Sequence, residues 1–369
     1  MEIWRKKIGL LIIMLIFTAY SIIFVYSSSF PTAIRTYHNP YRFILMQVIW
    51  YAISYVAFFF VSGIDYKKYI TKRNTIYLLG FILLVAVLVV GKRVNGSRRW
   101  IGIGPLTFAP AEFAKLCFIV YFSTMLAKFK KMGTKNLAIL FPAFIVAVIY
   151  IGLIFLEKDF GTIAVLGGTI LIMLFFTNIQ IKYFVGIVIL AIGASIPAIV
   201  LSAHRISRVI SFFEGVKNNG VGGGYQVQQS IIGIGHGGLF GLGIGNGIQK
   251  YYYLPELHTD FIFSVIGEEG GYVLALILII AFIVFFYIGI KIALDSKDWF
   301  AKYFVSGYFV MVILQALMNM MVATGMMPAT GRPLPFISYG GTSVFILFLG
   351  LGIVFNILKQ EEKREAIKS

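Results

Sequence analysis

Residues 250–271 read KYYYLPELHTDFIFSVIGEEGG and place Glu256, His258, Asp260, Glu268 and Glu269 at the edge of, or inside, a strongly apolar run. A carboxylate at membrane depth is expensive to ionise and marks function by default. Asp260 suits two roles. It could cap the helix that follows, with Thr259 as the competing cap. It could instead take a proton from a substrate. Glu268 and Glu269 lie about two turns further on. They better suit structure, paired with Lys115 or with arginines of other helices. Lys250 opens the segment, and Tyr251, Tyr252 and Tyr253 fit an aromatic belt at a membrane surface.

A second group of charges lies earlier. The stretch 92–111, KRVNGSRRWIGIGPLTFAPA, holds Lys92, Arg93, Arg98 and Arg99 and leads into Glu112 and Lys115. Glu112 and Lys115 stand at i, i+3 on a starting helix, where an ion pair forms readily. Facing a cavity, Lys115 could instead hold a phosphate. Glu157, Lys158 and Asp159 share a very short outer turn, which solvation explains as well as a functional role does. Gly233-Ile-Gly-His-Gly-Gly238 matches G-x-G-x-x-G without a βαβ frame, so close helix packing by small residues explains it. The four histidines lack metal-ligand spacing, and the single cysteine, Cys117, excludes an intrachain disulfide.

The elements that must position these groups are membrane helices. The chain has 369 residues, 59% hydrophobic and 13% charged. One soluble core cannot hide that much apolar surface. The expected class is an all-α integral membrane protein, one polytopic domain over 1–369. Ten apolar runs are long enough to span, near 8–26, 43–62, 75–91, 112–127, 137–156, 160–177, 181–201, 261–290, 301–324 and 341–358. The first carries Arg5, Lys6 and Lys7 ahead of it and reads as a retained helix. A net charge of +17 would point a soluble protein to nucleic acid. Here the charges sit in short loops, so they set orientation, and no nucleic acid partner is expected. Counting Lys and Arg places both chain ends in the cytoplasm. The basic loop 92–111 then lies outside, against the bias, and an anionic substrate would reward it. Residues 202–260 form a long Gly-rich extracytoplasmic loop between helices 7 and 8, too apolar for a linker. Thr324–Thr342, TGMMPATGRPLPFISYGGT, reads as a broken, re-entrant connection that must be buried or line a cavity.

Three of these segments together resemble one family. NGSRRWIGIGPLTFAPAEFAK is similar to its G-x-R-R-W…P-S-E-F-x-K element. YQVQQSIIGIGHGGLFGLGIGNGIQKYYYLPELHTDFIFSVIGEEGG is similar to its long outer loop, and TGMMPATGRPLPFISYGGTS to its final signature. The family is the SEDS group of FtsW, RodA and SpoVE, and the run QKYYYLPELHTDFIF looks most like FtsW. Ala111 stands where the family has Ser, and Gly270 where it has Leu. The resemblance implies ten spans and a peptidoglycan glycosyltransferase that polymerises lipid II. It implies a class B penicillin-binding protein as partner, with other division or elongation proteins, in the bacterial cytoplasmic membrane. It implies Asp260 as the essential carboxylate. Arg99, Glu112, Lys115, Asp159, Gln226 and Gln229 match other family motifs, and His258 joins them as part of H-T-D.

That chemistry sets two tasks. A base must take the proton of an attacking sugar hydroxyl, which is worth about 10²–10⁴-fold. Cations must neutralise a departing pyrophosphate. Asp260 is the candidate base. Arg99, Lys115, Arg205 and Lys250 are the candidate cations. A divalent cation, Mg or Mn, could share that work, although no complete ligand cage is visible. Two rival readings use the same residues: a flippase for lipid-linked precursors, and a non-catalytic scaffold of the division complex.

Overall fold

The structure, a computed structural model, describes residues 2–94, 97–103, 106–133, 137–177, 179–200, 224–251 and 254–367, with positions 206, 210 and 212. Helix α1 spans Glu2–Tyr37, α2 Arg42–Gly63, α3 Lys67–Thr71, α4 Arg73–Val90, α5 Pro110–Lys131, α6 Phe141–Leu156, α7 Phe160–Phe175 and α8 Ile181–Val200. After the large loop come α9 Tyr225–Gly237, α10 Ile262–Asp295, α11 Trp299–Ala323 and α12 Gly341–Ala366. Setting aside the short α3 and α9, the other ten helices occupy the ten predicted apolar runs. Among the described residues, eight helices are long and apolar enough to cross a membrane, and Phe160–Phe175 and Ile181–Gly193 are apolar but shorter. The chain is a multi-pass membrane protein.

Burial sorts these helices into a centre and a periphery. The most apolar stretch of α5 is 94% buried inside the protein, and those of α11 and α12 are 72% and 78% buried. That of α4 is only 17% buried. A helix buried on every side forms the centre of a bundle, and one exposing apolar side chains outward suits lipid. The charged pair Glu112 and Lys115 therefore sits on the most enclosed helix. Helix α11 packs against α5, α7 and α10, and α12 packs against α2 and α5.

The two ends of the bundle differ. At one end Lys6 pairs with Asp295, and Lys7 bonds Glu362 at 2.5 Å, so both chain termini meet there. At the other end residues 92–94, 97–103 and 106–108 pair as a three-stranded antiparallel sheet, an addition to the all-α expectation. Its strands are β1 Lys92–Val94, β2 Ser97–Ile103 and β3 Leu106–Phe108, with Arg93 opposite Arg98 and Gly102 opposite Thr107. The Thr342 hydroxyl ties β3 to the start of α12 by donating to the Thr107 carbonyl at 2.8 Å.

Two irregular segments are held by specific bonds. Helix α10 is broken at Gly271, with φ +67° and ψ −172°. Residues 238–243 dock into the break through four backbone bonds of 2.9–3.1 Å, two to the carbonyls of Glu268 and Glu269 and two from the amides of Tyr272 and Val273. A side chain at Gly271 would strike the backbone of Leu239–Gly241 and would need a left-handed conformation, so glycine is required. The connection from α11 to α12 dips into the bundle and buries Leu334, Phe336 and Ile337. The Phe336 ring stacks on Phe17 at 5.3 Å, and its carbonyl accepts from the Tyr51 hydroxyl. The re-entrant segment is thus buried, as its Pro and Gly content requires.

Candidate active site

At the sheet-bearing end the re-entrant segment delivers Arg332, 7% exposed, into the centre of the bundle. Its guanidinium bonds Asp159 at 2.7 Å and Glu112 at 3.0 Å, and also the Thr162 hydroxyl. Glu112 in turn pairs with Lys115 at 3.1 Å. The Lys115 ammonium also donates to Gln315 at 2.7 Å, and Gln315 donates to the Pro333 carbonyl at 3.1 Å. Three helices and one loop therefore converge on two carboxylates and two cations. Burying such charges is tolerable only when each is paired and hydrogen-bonded.

Local sequence explains each placement. Pro110 opens α5, where its missing N–H is harmless and its fixed φ suits a first turn. Glu112 then falls in that first turn, where the helix dipole favours an anion. Asp159 is the N-cap of α7 and accepts from the Thr162 amide at 3.1 Å and its hydroxyl at 2.8 Å. Burial opposes ionisation of Asp159, but Arg332, Arg99 and Thr162 together hold its carboxyl below the ordinary carboxylate range.

Asp260 borders this group. Its carbonyl accepts from Asn319 Nδ2 at 2.7 Å, and the same nitrogen donates to the Arg332 carbonyl at 2.8 Å. One amide group thereby fixes the two backbones side by side. The Tyr339 amide donates to the His258 carbonyl at 2.8 Å, and the Ser338 hydroxyl donates to the Thr259 carbonyl, so residues 258–260 are fastened along the re-entrant segment. The Asp260 carboxylate is partly exposed, and Arg332 feels its charge. A Cβ added at Gly331 would lie 3.5 Å from Asp260 Oδ2, and Gly331 has φ +68°. Helix α10 takes Phe261 as its N-cap residue, so Asp260 stands one position before the cap. The arrangement is a partly solvated carboxylate beside a buried, anchored guanidinium. It can accept a proton and neutralise an anion in adjacent space.

The family model for the FtsW/RodA/SpoVE cell cycle proteins matches residues 8–363. The chain belongs to that family. It is 33% identical to stage V sporulation protein E of Bacillus subtilis (strain 168) over 357 residues, covering 94% of this chain and 95% of that one. It is 36% identical to a protein of Saccharophagus degradans named "Probable peptidoglycan glycosyltransferase FtsW", covering 91% and 88%. A solved chain described as "Structural coordination of polymerization and crosslinking by a peptidoglycan synthase complex" superposes with a TM-score of 0.76 at 26% identity, covering 95% and 97%.

Within this FtsW/RodA/SpoVE chain the structure brings together Asp260, Glu112, Lys115, Asp159 and Arg99. Arg99, on β2, is partly exposed and donates to the carbonyls of Glu157 and Lys158. Its charge acts on Asp159 and Glu157. His258 stands two residues from Asp260, and burial depresses its imidazole pKa. Arg205 lies outside the described residues, as do Tyr252 and Tyr253. Gln226 and Gln229 are partly exposed on α9, which contributes no residue to the Arg332 group.

Three expectations are corrected. Lys250 is buried away from the Arg332 group, with its ammonium on Glu269 at 2.8 Å, on Ser27 at 3.0 Å and on the Gly245 carbonyl. Protein partners thus occupy the charge assigned to a pyrophosphate. Glu268 and Glu269 do serve structure, but Glu269 pairs with Lys250 and not with Lys115. The Glu157–Asp159 turn is not solvated: Glu157 is 0% and Asp159 2% exposed. The sequence reading also missed Arg332, Gln315 and Asn319. The signals were present. Arg332 is a lone charge in a Pro- and Gly-rich apolar segment, and Gln315 and Asn319 lie four apart on an apolar helix, hence on one face. Among the described residues no set of three or more His, Cys, Asp or Glu could hold a metal ion. The nearby Glu112 and Asp159 oxygens already serve Arg332, Lys115 and Thr162.

Proposed function

We propose that this chain is a peptidoglycan glycosyltransferase that polymerises lipid II at the outer face of the bacterial cytoplasmic membrane. One observation carries the reading: Asp260 is partly exposed and fastened through its backbone beside the buried Arg332. The names of its relatives support the same activity. In this reading a sugar hydroxyl of the acceptor approaches the anomeric carbon of the donor. The new C–O bond forms as the bond to the pyrophosphate oxygen breaks, and the polyprenyl pyrophosphate leaves with the electron pair. Asp260 takes the hydroxyl proton. Arg99 offsets the charge that grows on the leaving oxygen, with Arg332 holding Asp159 and Glu112 in place behind it. Lys115 is 1% exposed and acts indirectly, by holding Glu112 against Arg332.

The end of the bundle where both termini meet carries Lys6, Lys7, Lys359, Lys363 and Arg364. The positive-inside bias then supports a cytoplasmic position for that end and an outer position for Asp260. A class B penicillin-binding protein fits as partner, because a solved relative belongs to a peptidoglycan synthase complex.

Purified protein, labelled lipid II and gel separation of glycan chains test the proposal. Asp260→Asn should lose at least about 10²-fold in rate, with insertion and thermal stability kept. Glycan synthesis at the wild-type rate by that variant would end the catalytic reading.

A further inference from the structure

The approach to Asp260 carries an aromatic surface that proton transfer does not use. The His258 ring lies 4.8 Å from Phe43 and 5.6 Å from Tyr339, centroid to centroid. Phe43 lies 5.2 Å from Tyr339 and 5.7 Å from Tyr37. The Arg42 guanidinium stands 5.3 Å from the centre of the Tyr37 ring. These rings come from the end of α1, the start of α2, the residues before α10 and the re-entrant segment. Tyr37 is 49% exposed, and Phe43, His258 and Tyr339 are partly exposed. The Tyr339–His258 backbone bond locks this surface to the site, and the two residues from His258 to Asp260 span at most about 7 Å.

An aromatic belt at the lipid surface would be the ordinary explanation, but the length of α1 argues against it. Its 36 residues make a rod of about 54 Å, against a hydrocarbon core of about 30 Å. The apolar run begins at Ile8, and about 20 residues fill the core, which ends it near Ser28. Tyr37 then stands roughly 13 Å beyond that point. The residues around Tyr37 agree: Arg35, Thr36, His38 and Asn39 are polar and exposed. Tyr37 therefore faces water, while Phe43, the second residue of α2, marks the lipid edge. Rings with an apolar face, a polar tip and a neighbouring cation match one ligand class well. A pyranose has a face of C–H groups and a rim of hydroxyls.

We propose that Tyr37, Phe43, His258 and Tyr339, with Arg42, form a saccharide-binding platform that seats the acceptor sugar beside Asp260. The C–H face of the sugar rests on the rings, and its hydroxyls and amide reach Arg42 and the tyrosine hydroxyls. Its role as the acceptor seat rests on the glycosyltransferase reading. Saccharide binding itself can be measured apart from that reading.

The probe is a soluble β-1,4-linked tetramer of N-acetylglucosamine, with neither lipid nor pyrophosphate. Binding to the full chain in nanodiscs is followed by saturation-transfer NMR and titration. Wild type and Asp260→Asn should bind equally, because Asp260 supplies proton transfer and not the platform. The double variant Tyr37→Ala/Tyr339→Ala should bind at least about tenfold more weakly. Tyr37→Phe/Tyr339→Phe, which keeps the rings, should stay within about threefold of wild type and serves as the folding control. Absence of binding to wild type, or equal binding by the alanine and wild-type proteins, overturns the platform. Loss in the phenylalanine pair as large as in the alanine pair also overturns it, since ring stacking would then not carry the contact. Failure of the polymerisation assay with intact tetramer binding would strike the enzyme reading alone.

Discussion

Two buried ionic groups sit in this molecule, and they are built differently. Around Glu268 and Glu269 every carboxylate oxygen has a partner. Glu269 accepts from Ser27, Lys250 and the amides of Gly245 and Gly247, and Glu268 from the amides of Ile248 and Gln249. These bonds pin residues 245–250 of the large loop to α10. Around Arg332 the accounts do not close. Among the described residues, both carboxylate oxygens of Glu157, the Arg332 Nε and the Asn319 Oδ1 are buried with no hydrogen-bond partner, against one such atom, the Gln249 Oε1, at the other group. Most buried polar atoms are satisfied, so orphans gathered in one place call for an explanation. The first group behaves as a latch. The second keeps unsatisfied capacity beside an accessible carboxylate, which is what a site that must answer a changing charge requires.

The largest effect should come from breaking the latch. Lys250→Met strands Glu269 in a dry interior, a loss of about 3–5 kcal/mol. Thermal unfolding in nanodiscs should show a large drop. Lys250→Met/Glu269→Gln should regain part of the stability and still make glycan, because the unpaired charge is gone and the amide oxygen keeps one of the two backbone bonds. A double variant that folds but makes no polymer would move Lys250 back among the substrate contacts and erase the distinction between the two groups.

On the other side, Arg99→Ala should leave stability nearly untouched, since its side chain bonds only two carbonyls on a partly exposed surface. Losing one charged contact to a phosphate should lower kcat/KM by about 10–100-fold. The loss should shrink at high salt, where the wild-type attraction is itself screened. Equal kcat/KM values at low salt would exclude Arg99 from the site.

These two groups also show what pattern reading can reach. The ten apolar runs were legible because a bilayer forces backbone groups to pair internally, and run length reports that directly. Asp260 was legible as a charge misplaced in apolar sequence, whereas Glu112 and Asp159 were marked only by the family resemblance. Pairing was not legible. Lys250 and Arg332 are both lone cations in Gly- or Pro-rich segments, and nothing local says which carboxylate each will meet. Their partners lie 19 to 220 residues away, chosen by how the helices pack. The strands at 92–94, 97–103 and 106–108 are hard to see for another reason: Asn95-Gly96 is a hairpin signal in the sequence, but the four basic residues around it dominate the pattern.

The smallest effect expected is also the most selective. Glu157 is fully buried, and burial, with Asp159 beside it, pushes its carboxyl from 4.5 up to about 8, against the pull of Arg99 and Arg332. The folded protein therefore holds a proton on Glu157 between those values that the unfolded chain has released. Stability from this group is complete below pH about 4.5 and falls as pH rises toward about 8. Glu157→Gln fixes the neutral form. Its melting temperature should match wild type near pH 5 and exceed it by a few degrees at pH 9. Lys115, Glu112, Arg99, Arg332, Asp159 and Asp260 surround the same space and remain in both proteins, so the difference between the two pH curves isolates Glu157. A constant offset, or no difference, would mean that Glu157 is ionised at neutral pH, with the orphaned oxygens satisfied by water. The Arg332 group would then be as saturated as the latch, and the contrast between them would rest on Asp260 alone.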